Sequence, residues 1–230
     1  MNQPDRRARP VVAIDGPSGS GKSSVARGVA SRLGLRYLDT GAMYRGLTWW
    51  MLQHDVDVDD AGAVAARAYE AVLRSGTDPE NPTITVDDTD VGVAIRGPAV
   101  TLAVSAVSAV PRVRTRMVEM QREIIREGGI VVEGRDIGAV VAPAADVKVY
   151  LTADPAARAA RRSLELQHDP SATLQATLDD LHRRDRIDST RAASPLTRAD
   201  DAVVVDATAL ELDEVIALVT ELVLERTGVA

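Results

Sequence analysis

The sequence predicts an α/β fold, a five-stranded parallel sheet flanked by helices on both faces. Three observations lead there. Short apolar runs at 10–15, 36–39, 130–133, 146–151 and 202–206 alternate with segments of helical period, the pattern of βαβ units. Residues 11–33 read as strand, glycine-rich turn, helix. Of the 230 residues 45% are hydrophobic, yet Phe is absent and aromatics are 3%, so a sizeable core must be built of Val, Leu, Ala and Ile.

Taken in order, residues 1–9 are polar and charged and are expected to form a flexible leader. Val11–Asp15 is a buried strand. After the turn, positions 25, 26, 29, 30 and 33 are apolar, one face of a helix that Gly34 ends as a left-handed cap. Arg36–Asp39 is the second strand. Thr40 is expected to cap a helix over 41–54 with Met43, Leu47, Trp50 and Met51 on one face. The acidic stretch after His54 places Asp55, Asp57 and Asp59 at calcium-loop spacing. Asp60 stands where that loop needs Gly, and Ala66 where it needs Glu. It is read instead as a solvated loop whose Asp60 caps a helix over 61–74.

Residues 75–98 change character. Gly76, Pro79 and Pro82 break the chain, and Thr83–Val86 and Val91–Ile95 flank Asp87–Asp90 as a β-hairpin in a compact insertion. Helices over 99–109 and 111–126 open on prolines and stop at Gly128-Gly129. Ile130–Glu133 is a strand ending in an acid, and Asp146–Leu151 is the fourth strand. Asp154-Pro155 opens a helix on which Arg158, Arg161 and Arg162 share a face. His168–Ser171 breaks it before a second helix over 172–187, so residues 155–171 read as a helical lid. Ala202–Asp206 is the fifth strand. An amphipathic helix over 211–227 follows, with Leu212, Val215, Ile216, Val219, Leu222 and Val223 toward the core. All 230 residues read as one domain.

Composition excludes several classes. A net charge of −7 argues against a sequence-independent nucleic-acid binder, which needs a basic footprint. Without Cys there is no disulfide framework, thiolate zinc site or Cys nucleophile. No run is long and apolar enough for a membrane span, and no signal peptide is visible. A cytoplasmic protein is expected. No segment reads as a dedicated dimer face, so a monomer is expected.

The chemistry begins at Gly16-Pro17-Ser18-Gly19-Ser20-Gly21-Lys22-Ser23, which fits G-x-x-x-x-G-K-[ST], with Ser24 opening the helix behind it. Glycines let backbone N–H groups point at phosphate oxygens without Cβ clashes, and the helix N-terminus adds a favourable dipole. Lys22 would reach the β/γ-phosphates and the Ser23 hydroxyl would ligate Mg²⁺. Glu133, ending an apolar strand, is placed as a carboxylate near that ion.

Arginines far outnumber lysines among the 27 basic residues. A kinase acting on a phosphorylated acceptor must offset repulsion between two sets of phosphates. Arginines from several segments then converge on one cleft. Arg45, Arg135, the 158–162 cluster, Arg184 and Arg191 fit that demand. From these residues alone the acceptor of such a phosphate-loop kinase stays open, with uridylate, adenylate and shikimate among the candidates. A nucleotide-dependent regulatory module is the non-enzymatic alternative.

Four stretches carry a resemblance: Gly16–Ser23, Leu38-Asp-Thr-Gly-Ala-Met-Tyr-Arg45, Glu133-Gly-Arg-Asp-Ile-Gly138 and Arg191-Ala-Ala-Ser-Pro-Leu196. Together, and across nearly the whole chain after the leader, the sequence resembles the bacterial cytidylate kinase family. The resemblance implies a P-loop kinase fold, ATP as donor with Mg²⁺, and CMP or dCMP as acceptor. It places the acceptor phosphate on Arg45, Arg135 and Arg191, beside Thr40. The cytosine edge falls to Ser105, Arg114 and Asp136, and the ribose to Arg184 and Asp188. Arg158 and Arg161 would belong to the lid over the ATP phosphates, and residues 63–98 would form an acceptor-binding insertion that moves. Thr40 stands where members often carry Ser, and Glu133 where they often carry Asp.

Overall fold

The computed structural model describes residues 9–165, 178, 179, 181, 183, 185, 186 and 198–228. In chain order come β1 (Val11–Asp15), α1 (Lys22–Leu33), β2 (Arg36–Asp39), α2 (Thr40–Gln53) and α3 (Ala61–Arg67). The insertion follows as β3 (Leu73–Ser75), β4 (Ile84–Val86) and β5 (Thr89–Asp90). Then come α4 (Pro98–Ala109), α5 (Pro111–Ile125), β6 (Ile130–Gly134), β7 (Val147–Thr152), α6 (Pro155–Glu165), β8 (Val203–Asp206) and α7 (Leu212–Thr227).

Five strands form a parallel sheet in the order β2-β6-β1-β7-β8. This is the P-loop kinase architecture. The register sets Asp15 beside Gly134, and Asp39 beside Glu133. Three strand ends therefore finish together at the carboxyl edge, where ligands of α/β sheets bind.

Each face of the sheet buries a helical layer. On one side Met43, Leu47, Val107, Val113 and Met117 cover Leu38 and Val132. On the other, Val25, Val29, Val215, Val219 and Val223 cover Val12, Ile14 and Val149. Gly28 lets α1 and α7 approach, since a Cβ there would lie 2.4 Å from Ile216 Cδ1. Among the described residues no helix is long and apolar enough to cross a membrane.

The differences from expectation are local. The helix after Asp60 ends at Arg67 instead of 74, and Leu73–Ser75 becomes a strand. Tertiary partners decide this. Arg116 of α5 takes the carbonyls of Ala68 and Ala71, and the Asp87 carboxylate accepts the Val72 N–H. The hairpin is also tighter than expected. Val86 pairs with Thr89 across Asp87-Asp88, both at positive φ, which Asp tolerates in a two-residue turn. Val91–Ile95 is consequently not a strand: Ala94–Arg96 is a 3₁₀ turn and Val93 is 91% exposed.

Asp39, not Thr40, caps α2, accepting from the Ala42 N–H. Thr40 Oγ1 is instead buried and donates to the Glu133 carbonyl at 2.7 Å. Leu212, expected in the core, is exposed at the first turn of α7, and Leu222 is half-buried. Asp60 and Gly34 do cap as expected. The second helix expected over 172–187 and the end of the lid expected over 155–171 lie largely outside the described residues.

Candidate active site

A cavity of about 580 Å³ opens at the carboxyl edge, with the phosphate-binding loop at one end and Ser105, Arg114 and Asp136 at the other. The loop is built as the motif requires. Gly19 and Gly21 sit at φ 73° and 90°, a region that a side chain would strain. At Gly16 a Cβ would lie 2.0 Å from the Leu151 carbonyl, so the loop is seated directly against β7. Lys22 is buried and its Nζ donates to the Pro17 carbonyl at 2.8 Å. Ser20 is buried, and its Oγ has no hydrogen-bond partner among the described residues; Ser18 and Ser24 line the cavity beside it, and Pro17 does not.

Glu133 is brought to this end by β6. Its carboxylate accepts from Tyr37 Oη at 2.9 Å, with Ser23 beside it in the cavity lining. Burial, then the neighbouring Asp39 carboxylate, push its pKa up to about 7, against the opposing pull of Lys22, Ser23 and Tyr37. Burial and the adjacent Glu133 likewise push the Tyr37 phenol well above its ordinary value. Ser23 and Glu133 are hard oxygen donors, the class that Mg²⁺ takes. Among the described residues no group of three or more His, Cys, Asp or Glu forms a protein cage. Such a pair suits an ion that keeps several waters and leans on substrate phosphates.

At the far end Arg114 and Asp136 are each buried and form an ion pair, with the Tyr44 ring 5.6 Å from the guanidinium. Arg114 Nε is buried without a hydrogen-bond partner among the described residues. Ser105 and Ser108 lie one turn apart on α4 and line the same wall. Between the two ends stand cations. Arg135 Nη1 donates to the Gly16 carbonyl at 2.8 Å. Arg45 Nη1 donates to the Ile95 carbonyl at 3.2 Å and to Thr101 Oγ1 at 3.1 Å. Arg135 and Arg45 both line the cavity.

The lid arginines differ from one another. Arg158 is buried and donates to the Ser18 carbonyl at 2.9 Å, and it pairs with Asp185, whose other oxygen accepts the Ser18 N–H. Arg161 instead donates to the carbonyls of Ala207 and Leu210, beyond the end of β8. Arg184, Asp188 and Arg191 lie outside the described residues.

Sequence reasoning missed Arg96, which lines the cavity 4.0 Å from Asp39, and Arg27 on α1. It also missed Tyr37, Tyr44 and Ser108. For Tyr37 a signal was present: a phenol two residues before Asp39 shares a strand face with it.

The chain was compared with known proteins. Residues 12–225 match the family model described as cytidylate kinase. A cytidylate kinase of Streptomyces avermitilis is 56% identical over 218 residues, covering 94% of this chain and 93% of that one. A cytidylate kinase of Mycobacterium leprae is 48% identical over 220 residues, covering 95% and 97%. A solved structure of an uncharacterized protein from Eubacterium ventriosum superposes with a TM-score of 0.53 at 11% identity, covering 95% of this chain and 99% of that one, a likeness of fold.

Proposed function

The chain belongs to the cytidylate kinase family and is a phosphotransferase; we propose that it moves the γ-phosphoryl of ATP to CMP or dCMP through the constellation described above. An oxygen of the acceptor phosphate bonds to the γ-phosphorus as the bond to the β-bridging oxygen breaks. ADP leaves and CDP or dCDP forms.

The observation that carries this reading is the buried Arg114–Asp136 pair lining the same cavity as the phosphate-binding loop. A carboxylate there accepts from the cytosine 4-amino group, and the guanidinium donates to N3 or O2. Uracil carries no 4-amino donor, so a buried acceptor would be left unpaired, the condition under which discrimination is strongest.

The cations support the transfer itself. Arg45, Arg135 and Lys22 now donate to neutral carbonyls or a hydroxyl. Anionic phosphate oxygens would give these cations charged acceptors and stronger bonds than neutral carbonyls do. Arg45 and Arg135, with Arg191, grip the acceptor phosphate beside Thr40. Lys22 and the loop N–H groups hold the donor, with Arg158 over the loop and Arg161 nearer the end of β8. Arg184 and Asp188 take the ribose. Ser23 and Glu133 would hold Mg²⁺, which when bound would offset the negative charge of the donor phosphates.

Quantifying products tests this. With ATP, Mg²⁺ and CMP, ADP and CDP should appear in equal amounts. ADP release indifferent to CMP would defeat the reading.

A further inference from the structure

Asp15 ends β1 and is buried, but it does not line the cavity. Its two oxygens take two successive backbone N–H groups, Ile137 to Oδ1 and Gly138 to Oδ2, each at 2.8 Å. Those N–H groups open the π-helical turn Ile137–Val141, whose first amides have no acceptor within the turn. The Asp136 carbonyl is fixed in turn by the Val140 N–H at 2.8 Å. On the other side of Asp136, Arg135 donates to the carbonyl of Gly16, the residue after Asp15.

The strand end is itself seated, because Gly16 abuts the Leu151 carbonyl so closely that a Cβ would lie 2.0 Å away. The backbone on both sides of Asp136 is therefore anchored to one rigid point, the junction of β1 and the phosphate-binding loop. A carboxylate is what this junction requires. Asn would set an NH₂ donor against one of the two N–H groups, and a buried carboxylate that served no such purpose would carry an uncompensated desolvation cost.

We propose that Asp15 is a positioning residue for the acceptor: it fixes the backbone of residues 136–138 so that Asp136 and Arg135 face the acceptor base and phosphate. This rests on the acceptor roles given to those two residues above. The inference also joins the two ends of the site, because the strand that presents the donor loop aims the acceptor-reading carboxylate.

The test uses the full chain with Asp15→Asn and, as a milder variant, Gly138→Ala. A Cβ at Gly138 meets the flexible Lys148 side chain at 3.1 Å and Asp15 Oδ2 at 3.4 Å, so it presses on the clamp without removing the carboxylate. KM for CMP in Asp15→Asn should rise about tenfold, the scale of one spoiled buried hydrogen bond. The ratio of kcat/KM for CMP over UMP should fall with it, while KM for ATP stays unchanged. Gly138→Ala should move the same quantities in the same direction by less. Equal rises in both KM values, or an unchanged KM for CMP, would overturn the proposal. If circular dichroism shows Asp15→Asn unfolded, Gly138→Ala decides alone by the same criteria. If the wild type itself shows no preference for CMP over UMP, the functional reading fails and this inference fails with it.

Discussion

The two ends of the cavity are built in opposite ways. The donor end is nine contiguous residues, Gly16–Ser24, which offer mainly backbone N–H groups, three positive-φ glycines and one lysine. The acceptor end is assembled from side chains of α2, α4, α5 and the segment after β6, from Arg45 to Asp136. Its proposed reading pair, Arg114–Asp136, is a buried ion pair, and a second carboxylate, Asp15, holds the backbone just after Asp136. Backbone amides recognise phosphate whatever base is attached. Identity must come from side chains, and these are only as selective as the packing that holds them.

The largest expected effect tests the donor end. Lys22→Ala should lower kcat by on the order of 10²–10³-fold, as for loss of one group aimed at developing charge, with the circular dichroism spectrum unchanged. Near-normal turnover would show that the loop is not the donor cradle. The acceptor end should fail differently. In Asp136→Asn the amide can donate as well as accept, so the CMP-to-UMP ratio of kcat/KM should fall by about tenfold. If the mutant keeps its full ratio while losing overall rate, the pair holds the fold together and does not read the base.

How much of this was legible follows the same division. The phosphate-binding loop, the five strands and most helix caps follow from local spacing, because glycine turns and apolar periodicity act over a few residues. The base-reading side chains Ser105, Arg114 and Asp136 were reached only through family resemblance, since nothing local links Arg114 to Asp136, whereas the arginine surplus already pointed to Arg45 and Arg135. What escaped entirely depended on contacts between distant segments. Arg116, from α5, truncates the helix after Asp60, and Asp15, read from sequence only as a strand-end acid, holds residues 137 and 138. Leu212 was misplaced because helical period cannot say where a helix end leaves the core.

A pH scan sharpens the comparison between the two buried carboxylates. The folded pKa of Glu133, about 7, lies above its ordinary 4.5, and that of Asp15, about 6, above its ordinary 3.8. Between those limits the folded protein holds more protons than the unfolded chain. Their stabilising contribution is thus fully present below about pH 4 and is lost as pH rises through about 6 and 7. In nucleotide-free protein, Glu133→Gln should flatten the fall in Tm between about pH 5 and 7, leaving the Asp15 part at the acidic side. Parallel Tm curves for wild type and mutant would contradict the assigned shift. The smallest effect is expected from Tyr37→Phe, which removes one hydrogen bond to Glu133 and should cost about 1 kcal/mol in urea denaturation.

The most direct test of the central claim, that the buried Arg114–Asp136 pair makes this a cytidylate enzyme, is an acceptor comparison. ADP release from ATP and Mg²⁺ would be followed with CMP, dCMP, UMP, AMP, GMP and shikimate side by side. Turnover strongest with CMP and dCMP is the predicted result. Equal or faster turnover with UMP, or with an acceptor lacking the 4-amino donor altogether, would contradict it.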